Sequence, residues 1–159
     1  MAELTDLSRA LARVPSGLFI LSVGRGPLQT AMLVSFVQQV GFEPPAVSFA
    51  LKKGRDHVLE LLRNERQFCL SVVPEGDKAM LAHFAAGFAP GDDPFADVAT
   101  AIASNGVRFP AAACAHLACQ LAGEADWSDH LLLCGHVLGG SAAHDVKPWV
   151  HLRKNGLSY

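Results

Sequence analysis

The densest group of chemically capable side chains is Lys52-Lys53-Gly54-Arg55-Asp56-His57, which follows an apolar run and precedes a helical pattern. Three fixed cations, a flexible glycine and the unpaired N–H groups of a helix start converge there, a combination that suits an anion such as a phosphate. The same residues also make an ordinary solvated turn. A second group, Trp127-Ser128-Asp129-His130, leads into another apolar run. A carboxylate one residue before a histidine either forms a capping turn or places an imidazole at the rim of a pocket.

The third candidate is the stretch Thr30 to Val40, whose apolar residues do not alternate with polar ones and therefore suit a strand buried on both faces. Ser35, Gln38 and Gln39 then need partners, supplied either by backbone groups or by a planar heteroaromatic ligand. The histidines do not assemble into a metal site: His130 and His136 share one apolar run, His83, His116, His144 and His151 are scattered, and ligand spacings are missing. No metal is expected. The sequence also lacks a Gly-x-Ser-x-Gly elbow, a phosphate loop ending in Gly-Lys-Ser/Thr, and the Gly-x-Gly-x-x-Gly dinucleotide fingerprint.

These groups must be carried by one domain, 1–159. With 159 residues, 50% hydrophobic and 18% charged, the chain is too apolar to be disordered and too short for two ordinary domains. A net charge of −2 leaves no global positive field for a nucleic acid, so a small-molecule partner is expected. Met1-Ala2-Glu3-Leu4-Thr5-Asp6 has neither the basic start nor the apolar run of a secretory signal, and no segment is apolar enough for a membrane span. A cytoplasmic location is expected, with Cys69, Cys114, Cys119 and Cys134 as reduced core thiols and a Cys114–Cys119 disulfide as the alternative.

Periodicity then places the elements. Leu4, Leu7, Ala10, Leu11 and Val14 predict an opening helix that Thr5 caps and Pro15 stops. Leu18 to Val23 and Thr30 to Val40 bracket a Gly/Pro turn as a hairpin, and Ala46 to Leu51 is a third strand after Pro44-Pro45. Helices are predicted from Asp56 to Asn64 and from Asp77 to Ala86, with a strand Gln67 to Val73 between them. Phe88 to Ala99 reads as an ordered loop with two phenylalanines to bury, a length more often functional than accidental. Ala115 to Glu124, Leu131 to Leu138 and Trp149 to Leu152 complete the strands, so a mainly β antiparallel barrel with peripheral helices is favoured over a doubly wound sheet.

Taken in order, several segments resemble the flavin reductase-like, FMN-binding split-barrel family, including the reductase domain of diflavin flavoproteins. They are Ala10 to Leu21, Ala31 to Pro45, His83-Phe84 with Phe88-Ala89-Pro90-Gly91 and Phe95, Asp129-His130, and Val150 to Tyr159. The resemblance implies a six-stranded Greek-key split barrel, a homodimer, and an NAD(P)H:flavin oxidoreductase using FMN, or FAD, with NADH or NADPH as co-substrate. Electrons would pass on to free flavin, oxygen or a protein acceptor such as a flavin-dependent monooxygenase. Thr30, Ser35, Gln38, Gln39 and Val40 would line the ring or ribityl chain, Lys52, Lys53, Arg55 and His57 would meet the phosphate, and His130 would lie on the nicotinamide side. Ser128 replaces the family's glycine before Asp-His, and Gln38-Gln39 stands where a Ser or Thr is common. A flavin-binding electron carrier without nicotinamide activity, and a split-barrel binding protein without flavin, are the alternatives.

Overall fold

A computed structural model describes residues 5–158. The start Met1 to Leu4 and the final Tyr159, which enter the expectations for the opening helix and the tail, lie outside the described residues. Helix α1 (Asp6–Leu11) opens on Thr5, whose hydroxyl accepts the Ser8 N–H at 3.2 Å as an N-cap. There follow β1 (Ser16–Gly17), β2 (Phe19–Val23), β3 (Thr30–Val34), β4 (Val37–Phe42), β5 (Pro45–Lys52), α2 (Asp56–Glu65), β6 (Gln67–Val72) and α3 (Lys78–Ala85). The chain continues as β7 (Thr100–Ile102), β8 (Arg108–Pro110), β9 (Ala115–Asp126), β10 (His130–Ala142) and β11 (Val150–His151). No helix among the described residues is long and apolar enough to cross a membrane.

The main sheet is antiparallel throughout, in the order β3-β2-β6-β9-β10-β5-β4. Its two outermost strands, β3 and β4, are consecutive in sequence and joined only by Ser35 and Phe36. Three Cα steps reach about 10 Å. The two edges therefore lie side by side and the sheet curls into a barrel whose seam is that link. Seven strands stand where six were expected, because the run from Thr30 to Val40 is two strands rather than one.

The second half of that run is also not buried on both faces. As an edge strand with one neighbour, β4 leaves Gln38, Gln39, Val40 and Phe42 exposed. Its polar side chains meet water and need no buried partner. Val40 is the unpaired residue of a bulge between the pairs Gln39–Val47 and Gly41–Ala46.

Alternation along β2 and β3 sorts the core. Leu21, Val23, Met32 and Val34 point into the barrel with Phe49, Leu51, Phe68, Leu70 and Leu133, and α2 plugs it with Val58 and Leu62. Leu18, Ile20, Ala31 and Leu33 face outward under Met80 and Phe84 of α3 and Phe95 of the following loop. That loop is ordered as its phenylalanines foretell: Phe95 is buried, Arg108 lies 4.7 Å over its ring, and His83 Nε2 stands 2.8 Å from the Pro94 carbonyl. All four cysteines are free thiols, and burial pushes Cys69 and Cys119 up to about 12.

Barrel closure demands one close approach in the wall. A Cβ on Gly135 would sit 2.5 Å from Cζ of Phe68, a fully buried ring packed edge-on against Phe49 at 5.1 Å. Gly135→Ala is expected to destabilise the fold by about 1–3 kcal/mol through overpacking. A urea titration followed by tryptophan fluorescence checks this, and an unchanged midpoint would refute it.

Candidate functional site

The seam gathers side chains from four distant stretches of sequence. Phe36 belongs to the link itself, and its carbonyl accepts the Ala50 N–H at 3.0 Å, which ties the link to β5. Lys52 ends β5 and sits directly opposite His130, the first residue of β10. The Phe36 and His130 rings are tilted against each other with centroids 5.6 Å apart. Arg153, just beyond β11, lays its guanidinium over the Phe36 ring, 4.8 Å from the centroid.

These residues, with Ser128, Asp129, Gly156, Leu157 and Ser158, line a cavity of about 360 Å³. That lies within the usual range for small-molecule sites, about 300–1,000 Å³. Asp129 Oδ1 is 2.8 Å from His130 Nδ1 and accepts the Ser128 hydroxyl at 3.1 Å. With Nδ1–H donating to the carboxylate, the ring tautomer and plane are fixed. The bond from His130, then that from Ser128, holds the Asp129 carboxyl below its ordinary range.

The wall formed by residues 153–158 is pinned at one glycine. Gly156 N–H donates to Ser8 O at 3.0 Å, its carbonyl accepts from Arg153 Nη1 at 3.4 Å, and a Cβ there would fall 2.2 Å from Leu11 Cβ. Only a bare Cα admits this approach to α1. The Arg153 Nε is buried and has no hydrogen-bond partner.

A second cavity, about 390 Å³, lies on the other side of Lys52 between the start of α2 and the β9–β10 hairpin. Lys53, Gly54, Arg55, Asp56, Arg63, Glu124 and Asp126 line it. Its cations are partly matched: Lys53 Nζ is 2.6 Å from Asp126 Oδ1, and Arg63 grips Glu124 through Nε at 3.1 Å and through Nη2. The hairpin tip is thereby fastened to the basic turn, where Lys53 N–H also donates to Asp129 O at 3.0 Å. Arg55 is the N-cap residue of α2 without a side-chain cap bond, and its Nη1 comes within 3.8 Å of a Cβ built on Gly87.

The structure thus brings Lys52 and His130 into one cavity and Lys52, Lys53 and Arg55 into the other. His57 is half-buried in the first turn of α2, and half-buried Ser35 adjoins Phe36 in the seam. Gln38, Gln39 and Val40 run along the exposed edge away from Lys52, with Gln38 opposite Ser48. Thr30 is buried at the far end of β3, about 16 Å from Ser35 at the usual rise of a strand. Sequence reasoning did not single out Phe36, Arg153 or the acids Glu124 and Asp126 as site residues. The aromatic after Ser35 and the basic pair Arg153-Lys154 were the visible signals, but nothing in their spacing connects them.

Comparison with known proteins agrees with this architecture. The sequence model of the family described as flavin reductase like domain matches residues 11–156. Diflavin flavoprotein A 1 of Synechocystis sp. is 36% identical over 157 residues, a match covering 98% of this chain and 27% of that protein. The chain thus spans little more than a quarter of the curated relatives it matches. An NADH:FAD oxidoreductase of Streptomyces globisporus superimposes with a TM-score of 0.84 at 26% identity, covering 96% of this chain and 94% of that one. It has also been solved in complex with NAD and FAD fragments; that structure superimposes at 0.80 with 25% identity, covering 94% and 92% of the two chains. The styrene monooxygenase flavin reductase of Pseudomonas putida S12 gives 0.77 at 26% identity, covering 93% of both chains.

The fastening of the hairpin tip sets a pH dependence. The hydrogen bond from Arg63 holds the Glu124 carboxyl below its ordinary value, so its contribution to stability is present above about pH 4.3 and is lost as pH falls through the lowered value. Between about pH 5 and pH 3 the urea midpoint of the wild type should fall more steeply than that of Glu124→Gln. Parallel curves for the two proteins would show that the pair contributes nothing.

Proposed function

Because the chain belongs to the flavin reductase-like domain family, we propose that it is an NAD(P)H-dependent flavin oxidoreductase that binds FMN at the barrel seam. The observation that carries this reading is the cavity of Phe36, Lys52, His130 and Arg153, in which an aromatic face, an oriented imidazole and two cations meet. The buried, unpartnered Arg153 Nε is an orphaned donor beside that cavity, and the residues present fit a planar, polar-edged ring.

When bound, the flavin would supply the chemistry, that of accepting a hydride from NAD(P)H, which would leave as NAD(P)+ while the ring gained one negative charge. The protein's part is position and electrostatics. Backbone N–H groups from Ser35 to Gly41 would bond the ring edge, Phe36 would wall its site, and His130, held by Asp129, would orient the nicotinamide side. Lys52, Lys53, Arg55 and His57 at the start of α2 would hold the phosphate, with Arg55 as the principal contact because Lys53 already pairs with Asp126. No side chain is required to take a proton. Reduced flavin would serve free flavin, oxygen or a protein acceptor such as a monooxygenase.

The exposed edge strand supports a homodimer in the same reading. Phe42 is 88% and Val40 52% exposed on β4, and apolar side chains along a strand hydrogen-bonded to a single neighbour invite a second copy. Phe42→Asp should lower the solution mass measured by light scattering to that of one chain; a wild type already of that mass would rule the dimer out.

The function is tested by colour. Purified protein with FMN should show the bound flavin spectrum, and NADH or NADPH should bleach it without oxygen. Binding without bleaching would leave only an electron carrier. Arg55→Ala should weaken FMN by about 1.5–3 kcal/mol, as for a charge-assisted hydrogen bond, and leave riboflavin nearly unchanged. Equal losses for both ligands would refute the phosphate assignment.

A further inference from the structure

Arg153 is placed unlike Lys53 and Arg63 of the second cavity. Lys53 and Arg63 have carboxylate partners, whereas among the described residues no carboxylate stands within ion-pair distance of Arg153. One face of its guanidinium lies on the Phe36 ring, Nη1 reaches the Gly156 carbonyl, and Nε is buried with nothing to donate to. The charge is therefore partly stripped of water with no carboxylate partner among the described residues, yet the side chain forms part of the cavity wall. Among the described residues, the one carboxylate lining that cavity, Asp129, is already engaged by His130 and Ser128.

A partly desolvated cation without a counter-charge is costly, and the cost falls when a ligand brings negative charge to it. A ligand that exists in two redox forms differing by one negative charge will then be held more tightly in its more negative form. Resting on the reading that the seam cavity takes the flavin ring, we propose that Arg153 is the residue that favours the reduced, ring-anionic flavin over the oxidised, neutral one. It acts by electrostatics on the ring and not as an acid or base, since a guanidinium keeps its proton throughout. Two electrons and one proton enter the ring with the hydride; the added charge of minus one is what Arg153 meets.

This makes Arg153 a determinant of the bound flavin's reduction potential. Tighter binding of the reduced form by a factor of ten raises the potential of a two-electron couple by about 30 mV. Removal of the charge should reverse that gain. Phosphate contacts, in contrast, are the same in both redox forms, so the start of α2 sets how tightly FMN is held but not which form is preferred.

The experiment measures dissociation constants of oxidised FMN and of dithionite-reduced FMN, the latter without oxygen, for the wild type, Arg153→Gln and Arg153→Lys. Arg153→Gln should lose about tenfold in affinity for reduced FMN with less than about twofold change for the oxidised form, and the bound potential should fall by about 30 mV. Arg153→Lys, which keeps the charge and loses the fork, should keep the wild-type ratio of the two constants. Equal losses for both redox forms in Arg153→Gln would mean that the side chain only shapes the wall and would overturn the proposal. So would an Arg153→Lys protein whose ratio matches Arg153→Gln. A wild type that binds neither form would overturn the function proposed above along with it, whereas normal binding and bleaching with an unchanged ratio would overturn this inference alone.

Discussion

Two residues determine the shape of this molecule. Ser35 and Phe36 join strands at opposite ends of one sheet, and so short a connection is compatible only with a sheet rolled until its edges meet. The barrel interior, the plug formed by Val58 and Leu62 of α2, and the outer layer under α3 all presuppose that closure. The same link exposes Phe36 at the seam, where the rings and cations of three other segments converge on it. Fold and site share one constraint.

The electrostatics divide along the same line. On the α2 side of Lys52 the cations are answered by Glu124 and Asp126, which fasten the β9–β10 hairpin to the basic turn. Such exposed pairs add little stability each, but together with the Lys53 N–H to Asp129 O bond they fix where the hairpin tip stands. Its position in turn fixes Asp129 and His130. On the other side, among the described residues, no carboxylate stands within ion-pair distance of Arg153. Surface ion pairing thus acts as a positioning device for the His130 ring and the Asp129 carboxylate, several residues away from the pairs themselves.

Much of this was legible in sequence where local rules apply. Thr5 announces a helix start by capping chemistry and the cap forms, while Asp77, where a helix was expected to begin, proves to be the N-cap of α3 and accepts the Met80 N–H at 2.9 Å. Phe88 and Phe95 mark a loop with something to bury, and it packs accordingly. The break inside Thr30 to Val40 was hidden, because neither glycine nor proline interrupts the run and Ser35-Phe36 carries no turn signal between β3 and β4. Arg153 was hidden for a different reason: its meaning lies in contact with residue 36, and no periodicity spans such a distance. Family resemblance recovered the overall order of segments, whereas the partners of Lys53 and the stack on Phe36 needed coordinates.

The contact of Gly156 with Ser8 and Leu11 joins points nearly the whole described chain apart. A contact of such long sequence separation carries the largest loop-closure entropy and contributes little until most of the barrel is in place. The wall bearing Arg153 is therefore expected to form late in folding and to open early in native fluctuations. Hydrogen exchange would rank it with the lid regions of other proteins rather than with the sheet that supports it. The aromatic and imidazole rings rest on the sheet, whereas the charge that faces them is carried by the segment beyond β11.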